Sequence, residues 1–180
     1  MAIRRIRQED NERIASIIRH VFDELDMPKK HTVYDEEATD HQYEVFRDEP
    51  RSVLWVAEER GIVLGSCGVY PTQGLPEGWC EIVKFYVDKS ARGKGIGSAL
   101  FTKALESARC LGYKTAYLET FPKFGNAIGM YRRLGFHDID HQMGNSGHTA
   151  MSIFMTKCLR DVTFNDDDMR WTVLESENLI

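Results

Sequence analysis

Between Asp88 and Leu100 the chain reads DKSARGKGIGSAL, with Gly93, Gly95 and Gly97 at alternate positions. Before this stretch stands WCEIVKFYV, rich in aromatic and β-branched residues, and after it Ile96, Leu100, Ala104, Ala108 and Leu111 recur at helical spacing. The order predicts a strand, a glycine turn and a helix that ends at Gly112. Glycines at such positions let several N–H groups converge on one anion with no Cβ in the way. The helix adds the positive end of its dipole, and Arg92 and Lys94 add whole charges at the edge. A phosphate group suits that nest, while a turn needed only for tight packing is the plainer reading of the same glycines. The spacing is one residue too short for the dinucleotide fingerprint G-x-G-x-x-G, and the P-loop pattern is absent.

The remaining elements fit around this unit. IRRI opens the chain as a short strand, and Asp10 or Asn11 is placed to cap a helix with Ile14, Ile17, Ile18 and Val21 on one face. DEEATDHQYEVFR predicts a second helix, and SVLWVAE and IVLGSCGVY predict a hairpin around Glu59, Arg60 and Gly61. YKTAYLET reads as a strand and NAIGMYRRL as a short helix before Gly135. FHDIDHQM and TAMSIFMTKCL read as two strands around Gly144, Asn145 and Gly147. Without a regular βαβ repeat, this order predicts a mixed α/β sheet in one domain of the 180-residue chain.

Charge and cysteine usage narrow the function classes. A net charge of −5 argues against nucleic acid as the main partner. No apolar run approaches the roughly 20 residues needed to span a membrane, and the N-terminus lacks an apolar targeting region. Cys67, Cys80, Cys110 and Cys158 form no C-x-x-C pair and sit within apolar patterns that predict inert burial. Together these features lead us to expect a cytoplasmic protein. His137 and His141, four apart on a predicted strand, are too far apart to share a metal, so no metal site is expected.

The segment VKFYVDKSARGKGIGSALF resembles the central motif of the GNAT superfamily of N-acetyltransferases, R/Q-x-x-G-x-G/A after a strand, with Arg92, Gly95 and Gly97 filling it. YLETFPKFGNAIGMYRRLGF is similar to the family's second motif, with Asn126, Tyr131 and Gly135-Phe136 in the expected order. Residues 1–158 fit the family's element order, which implies a single domain with a six- to seven-stranded mixed sheet and about four helices. Residues 159–180 then form an extension, read as an extra strand or a homodimer contact. The resemblance implies acetyl-CoA as cosubstrate, its pyrophosphate held by the turn from Arg92 through Gly93, Lys94, Gly95, Ile96, Gly97 and Ser98. It further implies that backbone groups near Phe85, Tyr86 and Val87 bond the pantetheine arm, and that Asn126 bonds the cofactor. Asn126 is equally a favoured helix cap.

Acetyl transfer to an amine needs a proton acceptor for the amine and a proton donor for the departing thiolate. Glu81, expected on the strand face of Val83, Phe85 and Val87, is the first candidate base. A structural ion pair with Lys84 or another cation is its alternative role. Glu119, at the end of AYLET, is the second candidate base. By resemblance Tyr131 is the acid, a phenol that stays neutral at working pH; packing against Met130 and Leu134 is its alternative. Residues 21–50 carry ten acids against three bases. Asp23, Glu24, Asp26, Asp35, Glu36, Glu37 and Asp40 therefore either draw a cationic acceptor or form solvated helix faces. The expected partner is a small-molecule amine. A protein lysine or N-terminal acceptor, and a non-catalytic acyl-CoA-binding module, are the alternatives.

Overall fold

The computed structural model describes residues 1–148 and 150–159. Seven strands run as β1 (Ala2–Arg5), β2 (Val53–Glu59), β3 (Ile62–Tyr70), β4 (Trp79–Val87), β5 (Thr115–Thr120), β6 (His137–Ile139) and β7 (Ile153–Cys158). Four α-helices accompany them: α1 (Asn11–Glu24), α2 (Gln42–Arg47), α3 (Ile96–Cys110) and α4 (Gly125–Arg133). The strands form one mixed sheet in the order β1-β2-β3-β4-β5-β7-β6, in which only β4 and β5 are parallel neighbours. Among the described residues no helix is long and apolar enough to cross a membrane.

The sheet buries a core on each face. Ile14, Ile17, Ile18, Val21 and Phe22 of α1 meet Leu54, Val56 and Val63 on one side. Leu100, Phe101, Ala104 and Ala108 of α3 meet Val69, Cys80, Ile82 and Leu118 on the other. Arg60 and Gly61, both at positive φ, make the tight β2–β3 turn, a conformation whose twist matches that of the flanking strands. Tyr113 N–H reaches back to the Ala108 carbonyl at 3.0 Å across Gly112, closing α3 where the sequence places its cap.

Several expectations are corrected. The segment from Asp35 to Arg47 is a 3₁₀ turn, Glu37–His41, followed by the six residues of α2, and not one continuous helix. Neither Asp10 nor Asn11 caps α1 with its side chain: Asp10 accepts from Arg4 and from the Arg7 N–H, while Asn11 bonds Glu44 and the Tyr43 N–H, tying α1 to α2. Of FHDIDHQM only His137–Ile139 is strand. Cys67 and Cys80 are buried as expected, but Cys110 and Cys158 are exposed. Leu159, assigned by sequence to the extension, is buried and its N–H bonds the Lys114 carbonyl at 2.9 Å. Residues 160–180 lie outside the described residues.

Two irregularities of β4 shape everything that follows. Ser66 pairs with Tyr86 while Gly68 pairs with Val83, so Cys67 alone stands opposite Lys84 and Phe85: a β-bulge, with Lys84 at φ +52°. The bulge reverses the alternation of side chains. Glu81 and Val83 share one face, whereas Phe85 and Val87 pack with α3 on the other, which corrects the single face expected for all four. β4 and β5 also pair only from Trp79↔Thr115 to Glu81↔Tyr117, after which they part. Ile82–Val87 keeps its pairing with β3 and none with β5.

Candidate active site

A cleft of about 960 Å³ opens where β4 and β5 diverge. One half is made by the glycine turn, the free edge of β4 and α4. Gly93 and Gly95 take φ values of +75° and +78°, and a Cβ at either would meet nothing within 4 Å, so both lie against open space in conformations that favour glycine. The first α3 hydrogen bond runs from the Ala99 N–H to the Gly95 carbonyl, which leaves the amides of Ile96, Gly97 and Ser98 without an intrahelical acceptor. Gly97 plays a different part: its Cβ would lie 3.2 Å from Phe85 Cζ, so this glycine lets α3 pack on β4.

The charged residues of the turn are tethered to protein groups. Arg92 donates through Nε to the Val87 carbonyl at 3.0 Å and pairs with Glu24 of α1 at 3.0 Å. Lys94 Nζ bonds the Ser90 carbonyl at 2.8 Å, and the Ile96 side chain is buried in the core. Arg92, Gly93, Gly95, Gly97 and Ser98 line the cleft; Lys94 and Ile96 do not. Asn126 is exposed in the first turn of α4 and also lines the cleft, but the cap position belongs to Phe124, so the capping reading does not hold.

Tyr131 lies in a cluster of rings, with centroids 5.0 Å from Phe101, 6.1 Å from Phe85 and 6.1 Å from Phe136. It is buried yet lines the cleft, and its hydroxyl has no hydrogen-bond partner among the described residues. Burial, together with the nearby Cys67 and Tyr86, holds its phenol well above the usual tyrosine range, so it keeps its proton.

The other half of the cleft is built from carboxylates and the donors that hold them. Glu81 is 5% exposed and accepts a 2.5 Å hydrogen bond from Thr72 Oγ1, in the β3–β4 connection. Burial, and the Glu119 charge, push its carboxyl up to about 7 against the opposing effects of Thr72, His148 and Lys84. Lys84 does not pair with Glu81; its ammonium reaches Glu36 at 3.3 Å. Glu36 also bonds His148 at 2.6 Å. Burial alone would raise the Glu36 carboxyl, but the His148 hydrogen bond and the Lys84 charge hold it at about 2.

Glu119 is occupied on both oxygens. Oε1 accepts from Tyr117 at 2.9 Å and Gln142 at 3.0 Å, and Oε2 accepts from Ser146 at 2.9 Å. These bonds fasten the β6–β7 connection to β5. The β3–β4 connection meets the same segment through a 2.7 Å bond from the Asn145 N–H to the Gln73 carbonyl. Thr72, Gln142 and Ser146 carried no signal in the sequence, since each is a common polar residue in a predicted loop. Among the described residues no group of three or more His, Cys, Asp or Glu side chains is placed to hold a metal ion.

Most of the acids clustered in residues 21–50 are engaged elsewhere. Asp23 pairs with Lys29, Glu24 with Lys89 and Arg92, and Asp40 with Arg19. Of the seven acids named from the sequence, only Glu36 lines the cleft.

Residues 16–136 match the sequence profile of the Acetyltransferase (GNAT) family. The uncharacterized N-acetyltransferase YjgM of Escherichia coli K12 is 38% identical over 157 residues, 86% of this chain and 93% of that protein. Among solved structures, a GNAT-family acetyltransferase from Staphylococcus aureus Mu50 superposes with a TM-score of 0.77 at 20% identity, covering 88% of this chain and 99% of that one. The yncA protein of Salmonella typhimurium, solved with its cofactor acetyl-CoA, gives a TM-score of 0.71 at 22% identity, covering 93% of this chain and 99% of that one. A family match over residues 16–136 and a 38% identical relative aligned over 93% of its length agree: the chain belongs to the GNAT family of N-acetyltransferases.

Proposed function

We propose that the protein moves the acetyl group of acetyl-CoA directly to a small primary amine, with Glu81 as the base and Tyr131 as the acid. The residues present suit the cosubstrate. The open space at Gly93 and Gly95, the free amides at the start of α3 and the unpaired β4 edge at Phe85, Tyr86 and Val87 match an anionic pyrophosphate followed by an amide-bearing arm. An acceptor that arrives as an ammonium first gives one proton to Glu81, which passes it to solvent; the neutral nitrogen then forms a bond to the acetyl carbon as the carbon–sulfur bond breaks, its second proton passes to Glu81, Tyr131 gives a proton to the sulfur, and solvent reprotonates Tyr131 and deprotonates Glu81. The products are an N-acetyl amine and CoA thiol.

The observation that carries this reading is Glu81 itself. A carboxyl group buried in the cleft and pushed up to about 7 is poised to accept a proton near neutral pH, and the Thr72 bond fixes one of its oxygens. Glu119 is the weaker base because its oxygens already accept from Tyr117, Gln142 and Ser146. Its charge serves Glu81 by raising that carboxyl. Three carboxylates, Glu36, Glu81 and Glu119, stand with one ammonium, Lys84, at this end of the cleft, which favours an acceptor that arrives as a cation. The bond between the two connections, Asn145 to Gln73, supports a closed end suited to a small molecule over a running peptide. Thiol release from acetyl-CoA with a panel of amines, amino acids and peptides tests the reading. Small cationic amines are expected to lead; preferred acetylation of peptides or of anionic amines contradicts it.

A further inference from the structure

Gln42 lies in the wall of the cleft at the start of α2, and its side chain is fully buried. Its Nε2 donates to the Ala38 carbonyl at 2.5 Å, one turn back. That bond fixes which way the amide faces, because only its N–H end can serve a carbonyl oxygen. The other end, Oε1, is closed off from solvent with no hydrogen-bond partner, and among the described residues no other side-chain nitrogen or oxygen so fully enclosed is left unpaired; the Tyr131 hydroxyl, also unpaired, opens on the cleft. An acceptor atom in that state has lost its hydrogen bonds to water without replacement until a donor reaches it.

The surroundings indicate where such a donor comes from. Phe46 lies one turn along α2 from Gln42 and packs edge-on to Tyr70, with ring centroids 5.5 Å apart. Tyr70 is the β3 residue paired with Glu81 on β4. All four residues line the cleft, and the two rings link the helix that carries Gln42 to the strand that carries Glu81. Val33 and Val45 extend the apolar lining on the same side.

We propose that Gln42 is a specificity-determining residue for the acceptor, which is an amine whose apolar, ring-sized body carries a hydrogen-bond donor at the end opposite its amino group. The amine end lies at Glu81, the body lies along Tyr70 and Phe46, and the distal O–H or N–H donates to Gln42 Oε1. Contact requires a small rotamer shift of the covering side chains, a change that is common when ligands bind. This inference rests on the acetyl-transfer reading above and adds the acceptor's shape and its second polar group. A site built to bond a substrate O–H or N–H discriminates strongly against an analogue that lacks it, because the protein group is then left unpaired.

Matched amines test it. 2-(4-Hydroxyphenyl)ethylamine, 2-phenylethylamine and 2-(4-methoxyphenyl)ethylamine share a body and differ in the distal donor. Thiol release gives kcat/KM for each, and calorimetry with CoA present gives their affinities. The hydroxylated amine is expected to exceed the other two by at least about tenfold in both readouts, and the ratio is expected to fall toward one in Gln42→Met. Equal use of all three amines by the parent enzyme overturns the inference while leaving amine acetylation standing, and so does a preference that survives in Gln42→Met. If the parent enzyme neither binds nor acetylates any of the three, the proposed aromatic acceptor is wrong; acetylation of a peptide instead then also overturns the small-molecule reading. Should Gln42→Met fail to fold, the parent enzyme's ratio decides alone.

Discussion

The two halves of the cleft are made of different material. The half formed by the glycine turn and the β4 edge consists mainly of backbone: amides at the start of α3, positive-φ glycines, and peptide groups that lost their partners when β4 left β5. The opposite half consists of side chains, with Glu81 held by Thr72, Glu119 by Tyr117, Gln142 and Ser146, and Glu36 by Lys84 and His148. A site of backbone tolerates change in most side chains but not in the few residues that set its conformation. A site of paired charges responds to each member, and to pH.

The largest effect is expected on the backbone side. Gly95→Val places a β-branched residue at φ +78° and a side chain in the open space of the turn, so CoA affinity should fall by more than about 100-fold. Gly97→Val, whose Cβ presses on Phe85, should instead lower Tm as well as affinity. Calorimetry and thermal melts together separate the two, and equal behaviour would remove the distinction drawn between these glycines. Next comes Tyr131→Phe, which removes an unpaired hydroxyl from an otherwise complete ring cluster. Turnover should drop by about 10²- to 10⁴-fold with acetyl-CoA affinity within about twofold of the parent. Retained turnover would return Tyr131 to a packing role.

Smaller effects are expected among the supporting charges. Glu119→Gln removes one of the influences that raise Glu81, so the ascending limb of the pH–activity profile should move to lower pH, with a loss of less than about tenfold at neutral pH. An unmoved limb would separate Glu119 from Glu81. Glu36 is depressed to about 2 in the folded protein, so its contribution to stability is present above the ordinary carboxylate value of 4.5 and is lost as pH falls toward 2. Glu36 is partly exposed, and Glu36→Gln should lower Tm at pH 7 by about 2–4 °C, for roughly 1 kcal/mol, with the difference shrinking under acid. A difference that stays constant with pH would assign the effect to packing.

The same contrast decides what the sequence made legible. Gly93, Gly95 and Gly97 stand together because consecutive backbone groups build that half, so a short segment displays it. Helical periodicity likewise revealed α1 and α3, whose apolar faces repeat over several turns. The bulge at Lys84 left no such mark: nothing in WCEIVKFYV distinguishes a regular strand from one whose alternation reverses midway, and for that reason Phe85 and Val87 do not share the face of Glu81 and Val83 as the sequence predicts. Glu119 was visible, but its three donors come from β5 and the β6–β7 connection, and only tertiary structure brings these together. The acids of residues 21–50 formed a conspicuous run, yet Asp23, Glu24 and Asp40 are each paired with a cation. Charge runs are commonly solvated or paired faces, and composition alone does not tell which member turns inward.

The role of Glu81 as base is tested most directly by kcat/KM as a function of pH for the parent enzyme and Glu81→Gln. With the carboxyl at about 7, the parent profile should rise with pH through an apparent pKa near 7 as Glu81 ionises. Glu81→Gln should lack that limb, be slower by about 10²- to 10⁴-fold at pH 7, and recover as rising pH frees the amine of its own proton. A limb near pH 7 that persists in Glu81→Gln, or a loss that is the same at every pH, would contradict the assignment.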